Sequence, residues 1–193
     1  MALRKILTQG DPALNKPCRP VEKFDRKLGW LLDDLKETLA NAGGVGLAAP
    51  QIGILRRVVV VEDEDEQMIE LVNPVIVDQS GEQDGWEGCL SVPNQYGWVR
   101  RPNVVTVRAQ DRKGNFFELT REELTARCFC HELEHLDGHL FVELADQLYT
   151  PDEIDAMEAE EQEPEQREPE KQEPKKREPK KREKAGRKRR KNR

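Results

Sequence analysis

The chain has 193 residues, of which 36% are charged and an equal share apolar; a polypeptide so rich in charge does not fold throughout its length. Up to Pro151 it carries 17 Lys/Arg against 25 Asp/Glu, and beyond it 15 against 13, so the folding part is acidic, argues against DNA binding and leaves any RNA contact to the basic end. Neither Met1 to Gly10 nor any later stretch has the apolar run of a signal peptide or of a membrane span, about 18 residues; a cytoplasmic protein without membrane contact is expected, its Cys18, Cys89, Cys128 and Cys130 being free thiols or metal ligands rather than disulfides.

Leu28, Leu31, Leu32, Leu35 and Leu39 recur at helical spacing between Asp25 and Ala42, and Gly43-Gly44 stops the run, which predicts an amphipathic helix on a core. In Gly44-Val45-Gly46-Leu47-Ala48-Ala49-Pro50-Gln51 small residues allow close backbone approach and Gln51 offers a neutral donor; alone, the segment reads as a tight turn and a core strand. Runs at Arg56–Val61, Ile69–Val77 and Val104–Ala109 predict strands, the last joined through Asp111-Arg112-Lys113-Gly114 to Phe116-Phe117 as a hairpin.

Thr120-Arg121-Glu122-Glu123 has the form of a capping box, from which a helix is expected to run to about Asp137 and stop at Gly138. Thr150-Pro151-Asp152-Glu153 repeats that signal, beginning a helix that Ile154 and Met157 would dock and that frays beyond Glu161. Then Glu-Pro recurs every five residues (163–164, 168–169, 173–174, 178–179), and Lys180–Arg193 holds ten Lys/Arg against Glu183. Such a segment buries too little apolar surface to fold. The organisation expected is therefore a domain over 1–150, a helix start over 151–161 and a disordered tail over 162–193.

On the second helix, His131-Glu132-Leu133-Glu134-His135 places two imidazoles four residues apart, on one face, where they can share a metal ion beside Glu132. The same pattern alone is equally a solvated face with helical ion pairs. A third ligand must come from elsewhere. Position 141, where metzincins have a third histidine, is Phe141; His139 stands about 12 Å from His131 along a continuous helix and faces solvent; Glu143 is too near. Glu87-Gly88-Cys89-Leu90-Ser91 offers a thiolate next to a turn-like Ser-Val-Pro, although a lone cysteine is more often a small core residue. Glu87 and Arg101 are expected to pair and brace that loop, the alternative being two unrelated surface charges.

Together the three elements resemble the peptide deformylase family, in which G-x-G-L-A-A-x-Q, E-G-C-L-S and H-E-x-x-H occur in this order with similar separations. The resemblance covers roughly residues 1 to 148. It implies an α+β fold, small antiparallel sheets around a central helix carrying both histidines, and hydrolysis of the N-formyl group from the formyl-methionine of nascent polypeptides. It implies Cys89, His131 and His135 as ligands of one ferrous ion, zinc fitting the same donors; Glu132 as general base; Gln51 and the Leu90 N–H as oxyanion donors. The peptide would pair with the backbone at Val45 and Gly46 beside Gly88, its methionine among Val45, Leu124 and Cys128. Glu134 stands where the family more often has Asp. Competing readings are a metallopeptidase, and an inactive domain binding ribosome or RNA through the basic end; the two roles coexist if that end tethers an active enzyme to the ribosome.

Overall fold

The computed structural model describes residues 2–162. Helix α1, Arg26–Ala42, is capped by Asp25, whose carboxylate accepts from the N–H groups of Lys27 and Leu28, and it ends at Gly43 with φ of 67°. Its Leu28, Leu32, Leu35 and Leu39 are buried. Five strands, β1 (Gly46–Ala48), β2 (Val58–Glu62), β3 (Met68–Ser80), β6 (Val104–Gln110) and β7 (Phe116–Glu122), form an antiparallel sheet ordered β1-β2-β3-β6-β7. Strands β4 (Gln83–Cys89), β5 (Val92–Arg101) and β8 (Leu148–Tyr149) make a smaller antiparallel sheet in the order β4-β5-β8.

Helix α2, Glu123–Asp137, lies between the sheets and ends at Gly138 with φ of 86°. Val59 and Val61 of β2 pack with Phe129, Leu133 and Leu136 of α2, whereas Val58 and Val60 pack with the α1 leucines. Both faces of β2 are covered, which is why it reads as an unbroken valine run rather than an alternation. Val92, Val99, Leu140 and Phe141 form a third cluster under the smaller sheet. The α+β expectation holds, as do the expected helices and the β6–β7 hairpin.

Three expectations need correction. Thr120 does not cap α2: it lies within β7, its hydroxyl 2.9 Å from that of Thr106. The helix starts after Glu122, which gives no side-chain cap, and Glu64 instead accepts from the Thr125 N–H at 3.3 Å. β-branched Thr120 is better placed in a strand ladder, and a cap supplied across space leaves no local signal. Ser91-Val92-Pro93 is no turn either: the chain reverses at Leu90-Ser91 and Val92 opens β5. In α3, Pro151–Gln162, Thr150 and Glu153 bond each other as a capping pair and Ile154 is half-buried, but Met157 is 43% exposed and does not dock. Among the described residues no helix is long and apolar enough to cross a membrane. The Glu-Pro repeat and basic end expected to be disordered lie, from 163 onward, outside the described residues.

Candidate metal centre and cleft

His131 and His135 stand one turn apart on α2, and Cys89 closes β4, so that the three ligand atoms lie within 4.8 Å of one another. The Cys89 sulfur is 3.2 Å from His135 Nε2. Bonds of about 2.0 and 2.3 Å from one ion at a tetrahedral angle would put nitrogen and sulfur about 3.5 Å apart, so this donor set fits a metal almost without rearrangement. The β4–β5 pairing carries Cys89 inward: Gly88 opposes Tyr96 but Cys89 opposes Val92, and the residues between loop out. The Ser91 N–H, 3.4 Å away, and Gln51 Nε2, 3.6 Å away, both donate to the sulfur.

Behind the histidines lies a buried ionic network. Arg101 donates to both oxygens of Glu87, at 2.8 and 3.0 Å, and through two nitrogens to Glu134; the expected Glu87–Arg101 pair is present, and the longer Glu134 reaches the arginine rather than a histidine. The His131 Nδ1 lies 3.1 Å from Glu87, which leaves Nε2 for a metal and fixes the ring's orientation. Arg127, which the sequence reading did not single out, donates to Glu87 at 2.9 Å and to the Val99 carbonyl at 2.9 Å. Burial opposes ionisation of Glu87, yet Arg101 and His131 together push its carboxyl down to about 2. Burial likewise opposes protonation of His131, but Cys89 and Glu87 push the metal-free imidazole up to about 10; burial, then the charge on His131, hold His135 well below its ordinary value. A cation between the rings would replace the proton on His131.

Glu132 is 4% exposed, and its Oε2 has no hydrogen-bond partner. Burial, reinforced by the charge of Glu87 and opposed by His131, pushes its carboxyl up to about 7, where a group can take and return a proton at neutral pH. Gly46 lies against it: a Cβ there would stand 2.6 Å from Glu132 Oε1 and 2.5 Å from the Cys128 sulfur. Gln51 is held with its amide toward Cys89 because its Oε1 accepts from the Ala48 N–H at 2.7 Å and its Nε2 reaches Ser91 Oγ at 3.2 Å.

These groups open onto a cleft of about 500 Å³ lined by Val45, Gly46, Gln51, Gly88, Cys89, Leu90, Leu124, Cys128, His131 and Glu132, every site residue expected from sequence except His135, which lies behind. Trp86, Tyr96 and Arg127 also line it. Val45 and Leu124 are about half exposed, and Cys128 is buried, its thiol pKa raised by burial. Strands β1 and β4 each stand at the edge of their sheet and both border this cleft, an arrangement suited to taking up an extended peptide. Elsewhere, His139 is exposed past the helix end, as expected, and its Nδ1 lies 2.8 Å from Glu143, while Cys18 and Cys130 are buried thiols whose pKa burial pushes up to about 11.

Residues 3–150 match the polypeptide deformylase family. A peptide deformylase of Agathobacter rectalis is 54% identical over 143 residues, 74% of this chain and 90% of that protein. Peptide deformylase 1 of Bacillus subtilis is 50% identical over 159 residues, 82% of this chain and 99% of its own. Among solved structures, a peptide deformylase from Legionella pneumophila superposes with a TM-score of 0.72 at 42% identity, covering 83% of this chain and 98% of that one. A Met-Ala-Ser-bound class I type b peptide deformylase from Acinetobacter baumannii gives 0.70 at 32% identity over 74% and 98%.

Proposed function

The chain belongs to the peptide deformylase family, and we propose that Cys89, His131 and His135 hold the metal ion of its reaction while Glu132 handles the proton. As a deformylase it hydrolyses the N-formyl group from the N-terminal formyl-methionine of nascent polypeptides and releases formate. The observation that best supports the residue assignment is one thiol and two imidazoles converging within 4.8 Å beside a buried carboxylate oxygen that has no partner. Family membership makes the enzyme metal-dependent; we assign ferrous iron as the native ion, and zinc suits the same sulfur and nitrogen donors.

When bound, the ion supplies Lewis-acid activation of a water and of the formyl carbonyl. The protein's own groups do the rest. The peptide lies along β1 at Val45 and Gly46, opposite Gly88, pairing through its backbone so that many downstream sequences are accepted. Its methionine side chain enters beside Val45, Leu124 and Cys128. Glu132 takes the proton of the attacking water and delivers it to the amine as the C–N bond breaks. The Gln51 amide and the Leu90 N–H donate to the developing oxyanion, which rewards donors already in place. Residues 1–150 form this catalytic domain.

The reaction belongs in the cytoplasm, where nascent chains emerge, and the basic stretch Lys180–Arg193 tethers the enzyme to ribosomal RNA through counterion release. If deletion of 162–193 leaves salt-dependent ribosome co-sedimentation unchanged, the tether fails. For the activity, protein purified without oxygen is given formyl-Met-Ala and an unformylated peptide; formate release with about one iron per chain is expected. Cleavage confined to internal peptide bonds would identify a metallopeptidase instead.

A further inference from the structure

Trp86, Tyr96 and Trp98 occupy one face of the smaller sheet, with Tyr149 of β8 against them. In the β4–β5 register Trp86 opposes Trp98 and Gly88 opposes Tyr96, which pairs in turn with Tyr149. The alternate residues Glu87, Gly97, Val99 and Arg101 are buried, so the aromatic residues hold the outward face. The Trp86 ring meets Trp98 edge-on at 5.1 Å and Tyr149 at 5.3 Å. Trp98 is nevertheless 50% exposed and Tyr96 37%. A contiguous aromatic surface left in water marks a place where something binds.

This face continues the cleft, because Trp86, Gly88 and Tyr96 also line it. Along its β4 wall the cleft runs from Cys89, at the metal centre, through Gly88 and Glu87 to Trp86. An extended peptide advances about 3.3 Å per residue. A peptide that follows this wall with its formyl carbon beside Cys89 brings its third or fourth residue level with Trp86 and with Trp98, which opposes Trp86 on the neighbouring strand.

We propose that the outward face centred on Trp86 and Trp98 is a downstream ledge for the nascent chain itself, taking apolar or aromatic side chains at substrate positions four to six. The proposal rests on the deformylase reading, which fills the cleft with peptide. Nucleic acid suits the face poorly: the adjacent Arg100 is engaged by Asp84 at 2.9 and 3.1 Å, and the domain up to Pro151 is acidic. A nascent chain, by contrast, presents apolar side chains that have no core yet. The ledge is open, so its contribution is modest and tolerant of sequence.

The test compares formyl-Met-Ala, formyl-Met-Ala-Ser-Leu-Phe-Leu and formyl-Met-Ala-Ser-Gly-Ser-Gly on the iron-loaded full chain and its Trp98→Ala and Trp98→Phe variants. The wild type is expected to favour the apolar hexapeptide over the Gly/Ser one by roughly three- to tenfold in kcat/KM, through KM. Trp98→Ala loses that preference with formyl-Met-Ala turnover unchanged, and Trp98→Phe keeps most of it. Equal kcat/KM for the two hexapeptides in the wild type, or equal losses on all three substrates in Trp98→Ala, would overturn the ledge. Absence of formyl-Met-Ala turnover would count against the deformylase reading; tryptophan fluorescence titrated with the unformylated hexapeptides then decides the ledge, a Trp98-dependent preference for the apolar one supporting it and none refuting it. Trp98-dependent affinity for single-stranded RNA without any for peptide also refutes it.

Discussion

Arg127 and His131, one turn apart on α2, hold opposite oxygens of the Glu87 carboxylate, at 2.9 and 3.1 Å. Arg127 also grips the backbone carbonyl of Val99 in β5, so it ties the helix bearing both histidines to the hairpin bearing Cys89. Arg127→Met keeps much of the volume but leaves Glu87 to Arg101 and frees a buried carbonyl, a loss of roughly 3 kcal/mol. Urea denaturation of the metal-loaded protein should show it, and a chelator should strip the metal faster from the variant. Unchanged release would mean that Arg101 alone fixes the geometry.

Much of this was legible because helices and buried strands announce themselves. The α1 leucines, the valines of β2 and the paired histidines each follow the period of the element that carries them. The smaller sheet did not, because its pattern is inverted: Glu87, Gly97 and Arg101 point inward, whereas Trp86, Tyr96 and Trp98 point to solvent. No alternation rule finds strands whose buried face carries an ion pair. Arg127 was hidden likewise, since an arginine on an amphipathic helix reads as its polar face. A local clue existed in Gly85, where a Cβ would stand 3.2 Å from the Arg127 guanidinium; a glycine inside a strand signals close approach.

Glu132 and Cys89 should separate turnover from metal retention. Glu132→Ala removes the proton carrier and none of the three proposed ligands, so metal content should stay near one per chain while kcat falls by about a hundredfold to ten-thousandfold. Cys89→Ala should lose the metal itself, as read by elemental analysis. Stoichiometric metal retained in Cys89→Ala, or lost on replacing Cys130, would mean that another thiol is the ligand.

Gly46→Ala tests the close approach that seats Glu132. The added methyl group would overlap the Glu132 carboxylate and the Cys128 sulfur, and both are buried with little room to retreat. The expected result is a fall in kcat of tenfold or more, of the order seen when a reacting group is displaced by about 1 Å, with metal content unchanged. A variant with wild-type kcat would show that the carboxylate position is looser than these contacts require.

Glu70 should govern part of the acid limb of stability. It sits on β3, where it accepts from Arg112 Nε at 2.9 Å and pairs with Lys36 of α1, while Arg112 also reaches Asp33 of that helix. Burial opposes its ionisation, but Arg112 and Lys36 outweigh burial and hold its pKa below the ordinary value of 4.5. A carboxylate with a lowered folded-state pKa stabilises the fold above its unfolded pKa, and that contribution is lost as pH falls through the folded value. At pH 7, Glu70→Gln should therefore be less stable than the wild type by about 1 kcal/mol, since the pair is only partly shielded from water. The gap should narrow steadily below pH 4.5. Urea denaturation of both proteins from pH 7 to pH 3 measures it, and a gap that stayed constant across that range would assign the loss to packing rather than to charge.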